Sequence, residues 1–126
     1  MPITIPVYLQ TSTKTITLSM NWYRNAHYQT INKVKKQMHE IIIAQLSDQV
    51  FDGPIQLHYT YFYKNKATDL MNFGALASKW LLDTLQENGN ISKDTVAIVK
   101  LEIFEVGTHD KDNPRIDVII QPYITS

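Results

Sequence analysis

Two aspartates, each just ahead of a regular element, are the residues of this chain best suited to chemistry. Asp69 lies in KNKATDLMNFG, Lys64 to Gly74, between a short basic run and an apolar stretch with helical spacing. Asp94 stands at the mouth of TVAIVKLEIFEV, a run of strand character. Hard divalent cations take oxygen ligands, and Mg²⁺ typically binds through one or two carboxylates plus water and a substrate phosphate. Lys64 and Lys66 precede Asp69 and would gather such a phosphate, and Asn72 adds a neutral amide oxygen. The other reading of Asp69 is a helix cap, its carboxylate accepting from the amides of Met71 or Asn72 and favouring the helix dipole. Thr68 would cap equally well, so a cap does not require an acid at this position.

The elements that must position these residues follow from periodicity. ITIPVYL (Ile3 to Leu9) and the alternating TKTITLSM (Thr13 to Met20) read as strands, paired with each other. NWYRNAHYQ, Asn21 to Gln29, is polar, aromatic and irregular. From about Thr30, Ile31, Val34, Met38, Ile41, Ile42 and Leu46 mark one face of an amphipathic helix. Asp52-Gly53-Pro54 is a turn, and Ile55, Leu57, Tyr59, Tyr61 and Tyr63 then take alternate places of a strand. The tyrosines read as core. A second helix carries Phe73, Leu76, Ala77, Trp80, Leu81, Thr84 and Leu85 inward. ENGNISKD links it to the long strand, and RIDVIIQPY supplies the last one. The order ββ-α-β-α-ββ predicts an α+β fold, two helices packed on a mixed β-sheet, in one domain over 1–126.

A helix from Asn72 to Gln86 rises about 22 Å. The segment from Glu87 to Asp94 runs back at most about 27 Å when extended. Asp69 and Asp94 therefore share a cation within one chain only if that link doubles back.

Composition narrows the classes. The chain of 126 residues is 44% hydrophobic and 19% charged, an ordinary globular balance. No run approaches the roughly 18 apolar residues of a membrane span, and the first residues lack the pattern of a signal peptide. The expectation is a cytoplasmic protein without a membrane partner. There is no cysteine, hence no disulfide and no thiol nucleophile, and His27, His39, His58 and His109 show no zinc spacing. DKDNPR opens like a calcium loop, but Arg115 stands where glycine is needed and Gln121 where glutamate is needed. It is a turn.

Net charge is zero but unevenly spread: residues 1–66 hold seven Lys/Arg against three Asp/Glu, and residues 67–126 five against nine. The division falls almost at Asp69. Lys33, Lys35 and Lys36 are either the solvated face of the first helix or a surface that positions a phosphate backbone without reading bases. Arg24 and His27 are within reach of phosphates in the same way. Trp22, Tyr23 and Tyr28 either pack at the rim of the core or stack on unpaired bases.

The succession of strand, basic residues, D-L-x-N, a helix with WLLDTL, and an acid opening a strand resembles the RusA family of Holliday-junction endonucleases. NWYRNAHYQTINKVK and DKDNPRIDV are similar to segments of its phage and prophage branch, so the likeness runs from about Thr15 to Ile120. It implies a RusA-like fold and Mg²⁺-dependent cleavage (Mn²⁺ serving too) of four-way junctions and other branched DNA. The implied state is a homodimer, in the host cytoplasm if phage-encoded. Asp69 and Asp94 match the family acids that bind metal, with Asn72 beside them, and Lys66 would neutralise the scissile phosphate together with Lys64. Arg24, His27, Lys33, Lys36, Lys64, Lys66 and Lys79 would contact DNA.

The chain departs from the family at three points. Met71 replaces the second acid of D-L-D-N, Ala75 stands where a lysine often follows, with Lys79 a turn further on, and Lys93 precedes Asp94 where a second carboxylate is common. Each lost carboxylate removes a charge and a ligand from the cation. The alternative is a RusA-like dimer that binds DNA or protein with a weakened site.

Overall fold

The computed structural model describes residues 1–124. A mixed four-stranded sheet is built from β1 (Pro2–Pro6), β4 (Ile55–Tyr63), β5 (Val99–His109) and β6 (Arg115–Pro122), in the order β1-β6-β4-β5. The pairs β1–β6 and β4–β6 are antiparallel, and β4–β5 is parallel. A separate ribbon pairs β2 (Tyr8–Gln10) with β3 (Thr15–Thr17). Helices α1 (Met20–Asn25), α2 (Tyr28–Ile43) and α3 (Leu70–Glu87) complete an α+β fold.

Alternation decides which face of the sheet is covered. Ile55, Leu57, Tyr59 and Tyr61 of β4, Ile116, Val118 and Ile120 of β6, and Ile3 and Ile5 of β1 are all buried. Against them lie Val34, Met38 and Ile42 of α2 and the broad apolar face of α3, including Phe73, Leu76, Trp80, Leu81 and Leu85. These residues form one core cluster. The opposite face carries Gln56, His58, Thr60 and the half-exposed Ile119. Gly74 permits close approach of α3 to β5, because a Cβ there would stand 2.9 Å from the Phe104 ring. Gly89, at φ 80°, takes the left-handed turn that stops α3 after its Asn88 cap.

Four expectations change. The described residues form three helices instead of two, because Ser19 caps a short helix within the segment read as irregular, its side chain accepting from the Trp22 amide. The first two strand runs pair only over Tyr8–Gln10 and Thr15–Thr17, while Pro2–Pro6 joins the main sheet beside β6. Pro6 has no N–H to extend the ladder, and the chain turns out of the sheet there. The long strand opens at Val99, after a turn in which Thr95 O accepts from the amides of Ile98 and Val99. Tyr63 is half-buried at the rim, whereas Tyr59 and Tyr61 are core.

Candidate nucleic-acid interface

The chain from β4 through α3 to β5 is a parallel crossover, so the carboxyl ends of β4 and β5 and the start of α3 meet at one corner of the molecule. Such corners are where open α/β units expose loops for ligands. Here the loop is KNKATD, Lys64 to Asp69.

Asp69 is the N-cap of α3, its Oδ1 accepting from the Met71 amide at 3.0 Å. The carboxylate is exposed, and one of its oxygens is taken by the cap. Asn72 is committed as well: its Oδ1 accepts the Asn21 amide at 3.1 Å, which ties α1 to the first turn of α3. That tie brings Arg24 to the corner. Arg24, Asp69, Met71, Asn72 and Ala75 line one open hollow of about 580 Å³. Met71 is 44% exposed and lines the hollow, with its sulfur beside Gly74.

Two further hollows adjoin it. Thr68 links the first to a smaller one lined by Tyr61, Tyr63 and Lys66, and Lys66 links that to a groove lined by Tyr8, Lys64, His109 and Lys111. Burial pushes the Tyr61 phenol above its ordinary range, and Thr68 beside its hydroxyl offsets part of that rise. The His109 ring lies 3.0 Å from the Lys64 carbonyl through Nε2, holding the end of β5 to the loop.

The remaining candidates lie elsewhere. Asp94 sits just before Thr95, at the amino end of β5, where Ile98 O accepts from the Ile55 amide. Asp69 follows the other end of the nine-residue β4, so the two acids are separated by about 30 Å of strand. The link after α3 does not double back: Asn90 O binds the Phe51 amide and its side chain holds the carbonyls of Ser47 and Gln49, all at the amino end of β4. A shared cation within one chain is thereby ruled out.

Lys33 and Lys36 are exposed on α2 and away from the corner. Their neighbour Lys35 pairs with Asp83 at 3.8 Å, and Lys36 lines a shallow groove with Glu87. Asp83 lies fourteen positions beyond Asp69 on α3, about 21 Å along the axis. His27 caps α2, its Nδ1 accepting from the Gln29 amide at 3.2 Å. Lys79 is exposed on the stripe of α3 that holds Asn72 and Ala75, one turn beyond Ala75. Trp22 packs edge-on against Trp80 at 6.3 Å, and Tyr28 is 66% exposed.

Tyr8, His109 and Lys111 reach the corner without any sequence signal, because only the parallel pairing of β4 with β5 sets residues 109–111 beside residues 63–66. Among the described residues no group of three or more His, Cys, Asp or Glu side chains is placed to hold a metal, and no helix is long and apolar enough to cross a membrane. No protein-family model matches the chain, and no curated protein matches it either.

Proposed function

We propose that the protein acts on branched DNA as a two-fold dimer, a Mg²⁺-dependent endonuclease (Mn²⁺ also serving) that nicks strands at four-way junctions. The observation that carries this reading is the corner itself, where an exposed acid at a helix start, Arg24, Lys64, Lys66 and Lys111 line adjoining hollows. Cations along a continuous surface suit a phosphate backbone, and the acid suits the metal that phosphate chemistry uses. The resemblance to the RusA family over most of the chain supports the same reading.

A single chain brings only one carboxylate to the cation, the lower end of what Mg²⁺ takes. Asp69 has one uncommitted oxygen, Asn72 already accepts a backbone amide, and Met71 offers only sulfur. An isologous pair of chains supplies a second carboxylate. A two-fold axis across α3 exchanges its ends, so that Asp69 of one protomer meets Asp94 of the partner subunit, and the reverse pair forms the second site. Two equal sites match a two-fold junction. The cation held there would supply a bound water and charge for the leaving oxygen.

Complementation tests the shared site. Asp69→Asn and Asp94→Asn, each alone, leave every site of a homodimer defective. A mixed dimer of the two variants holds one site with both acids intact and one with neither. Mixing is therefore expected to restore nicking of a synthetic junction, one strand at a time. A mixture as inactive as its components would overturn the shared site. The second reading, a dimer that binds branched DNA without cutting it, is favoured by the capping role of Asp69 and the committed Asn72 oxygen. Parental protein that binds junctions and leaves them whole with Mg²⁺ or Mn²⁺ would select it.

A further inference from the structure

The groove beyond Lys66 differs from the hollow at Asp69 in its chemistry. It is an open space of about 930 Å³, and the described residues that line it include three lysines and no carboxylate. Of the two acids that flank Lys111, Asp110 is engaged by Arg115 at 2.8 Å, and Asp112 is exposed and does not line the groove. The lysines come from two loops separated by the whole of α3 and β5, so their grouping is a product of the fold and not one solvated face.

Two tyrosines stand among these cations. Tyr8, on β2, is half-buried and backed by Phe73 of the core at 6.2 Å between ring centroids. Lys64 Nζ lies 5.5 Å from the Tyr8 ring centroid. Tyr63 ends β4 and leans on His109 at 5.6 Å. A tyrosine ring anchored at the groove wall, with the Lys64 ammonium over it, is a platform for a flat anionic partner whose phosphate draws that lysine off the ring. A nucleotide whose base is outside a duplex has both features. Paired DNA presents its phosphates but keeps its base faces stacked inside the helix.

We infer that this groove binds an unpaired stretch of single-stranded DNA, its phosphates on Lys64, Lys66 and Lys111 and a base stacked on Tyr8 or Tyr63. The inference rests on the reading of this corner as a DNA surface and specifies it: the groove holds the strand that is unpaired at a branch, beside the acid that would lie at the scissile phosphate. Cleavage is not required for it.

The test is equilibrium binding of a short fluorescent oligodeoxythymidylate by the full-length protein in EDTA, where no nuclease can act. The parental protein should bind it with an affinity that falls as salt rises. Lys111→Ala should lower the log–log salt slope by about 0.7, one single-strand phosphate contact. Tyr8→Leu should weaken binding between about fivefold and a hundredfold with the slope unchanged, because stacking is not a counterion effect. Tyr8→Phe keeps the ring and should bind as the parent does, which separates lost stacking from a fold disturbed behind β2.

Absence of oligonucleotide binding by the parental protein overturns the groove assignment, whatever a junction assay gives. So does parental affinity in both Lys111→Ala and Tyr8→Leu. Equal competition by polyglutamate would overturn it in favour of an acidic protein partner. Oligonucleotide bound in this pattern while junctions with Mg²⁺ stay uncut supports the groove and removes only the nuclease.

Discussion

Ser78 of α3 donates a 2.6 Å hydrogen bond to Glu102 of β5, and the same carboxylate oxygen accepts the Tyr59 hydroxyl at 2.7 Å. Together with the stacked Tyr59 and Phe104 rings, 4.4 Å apart, this joins helix, central strand and outer strand on the covered face of the sheet. The Tyr59 phenol is held well above its ordinary range, first by burial and then by the Glu102 charge, so it remains a donor. Among the described residues strand β5 pairs with β4 alone, and this polar link reinforces its position.

Tyr59→Phe and Ser78→Ala should each destabilise the protein by about 1–2 kcal/mol, the loss of one hydrogen bond to a charged group. The double variant should lose more than the sum by about 0.5 kcal/mol or more, because the second deletion leaves the carboxylate without a donor. Urea unfolding of the three variants measures the coupling. Strict additivity would mean that Glu102 swings to solvent once the first donor is gone.

Met71→Asp should leave thermal stability within about 0.5 kcal/mol of the parent, since Met71 lines an open hollow in the first turn of α3, where negative charge is favoured. It adds a hard oxygen beside Asp69. If a cation sits there, the Mg²⁺ concentration for half-maximal cleavage should fall about tenfold, equivalent to about 1.4 kcal/mol. Metal titration that gives the parental midpoint would place position 71 outside the cation site.

Lys64→Ala with Lys66→Ala should weaken junction binding and reduce its log–log salt slope by about two units, close to one per duplex phosphate contact. Lys33→Ala with Lys36→Ala should leave the slope unchanged, because α2 carries those side chains away from the corner. Anisotropy titrations at several salt concentrations compare the pairs. Equal losses from both would extend the DNA surface over α2.

Asp110 should contribute to acid stability. Its hydrogen bond from Arg115 and the Asn113 amide hold its carboxyl below the usual range. A carboxyl depressed in the folded state stabilises fully above its unfolded value, about 3.9, and the contribution is lost as pH falls through the lower folded value. Asp110→Asn should therefore be less stable than the parent near neutrality, with the difference closing only below about pH 4. Unfolding curves collected down to that range test this. A difference independent of pH would assign the loss to geometry at the turn rather than to charge.

The cores of α2, α3, β4 and β6 were legible in the sequence, since their buried residues recur at the spacing of one helix face or alternate along a strand, and periodicity is a local property. The turn at Asp110–Pro114 was equally legible, and Asp69 was placed at a helix start, where both of its readings put it. Helix α1 was hidden because six residues capped by Ser19 carry too few turns to show a period.

Distances across the fold were decided only by the tertiary structure. Asp69 and Asp94 look alike as acids that open elements, yet a parallel β4-α3-β5 crossover must set the two ends of its helix at opposite ends of the strands. The same pairing carries His109 and Lys111 to Tyr63 and Lys64, across a sequence gap of more than forty residues. Strand pairing partners are chosen by burial of the whole sheet against α2 and α3, and no local pattern in the chain encodes that choice.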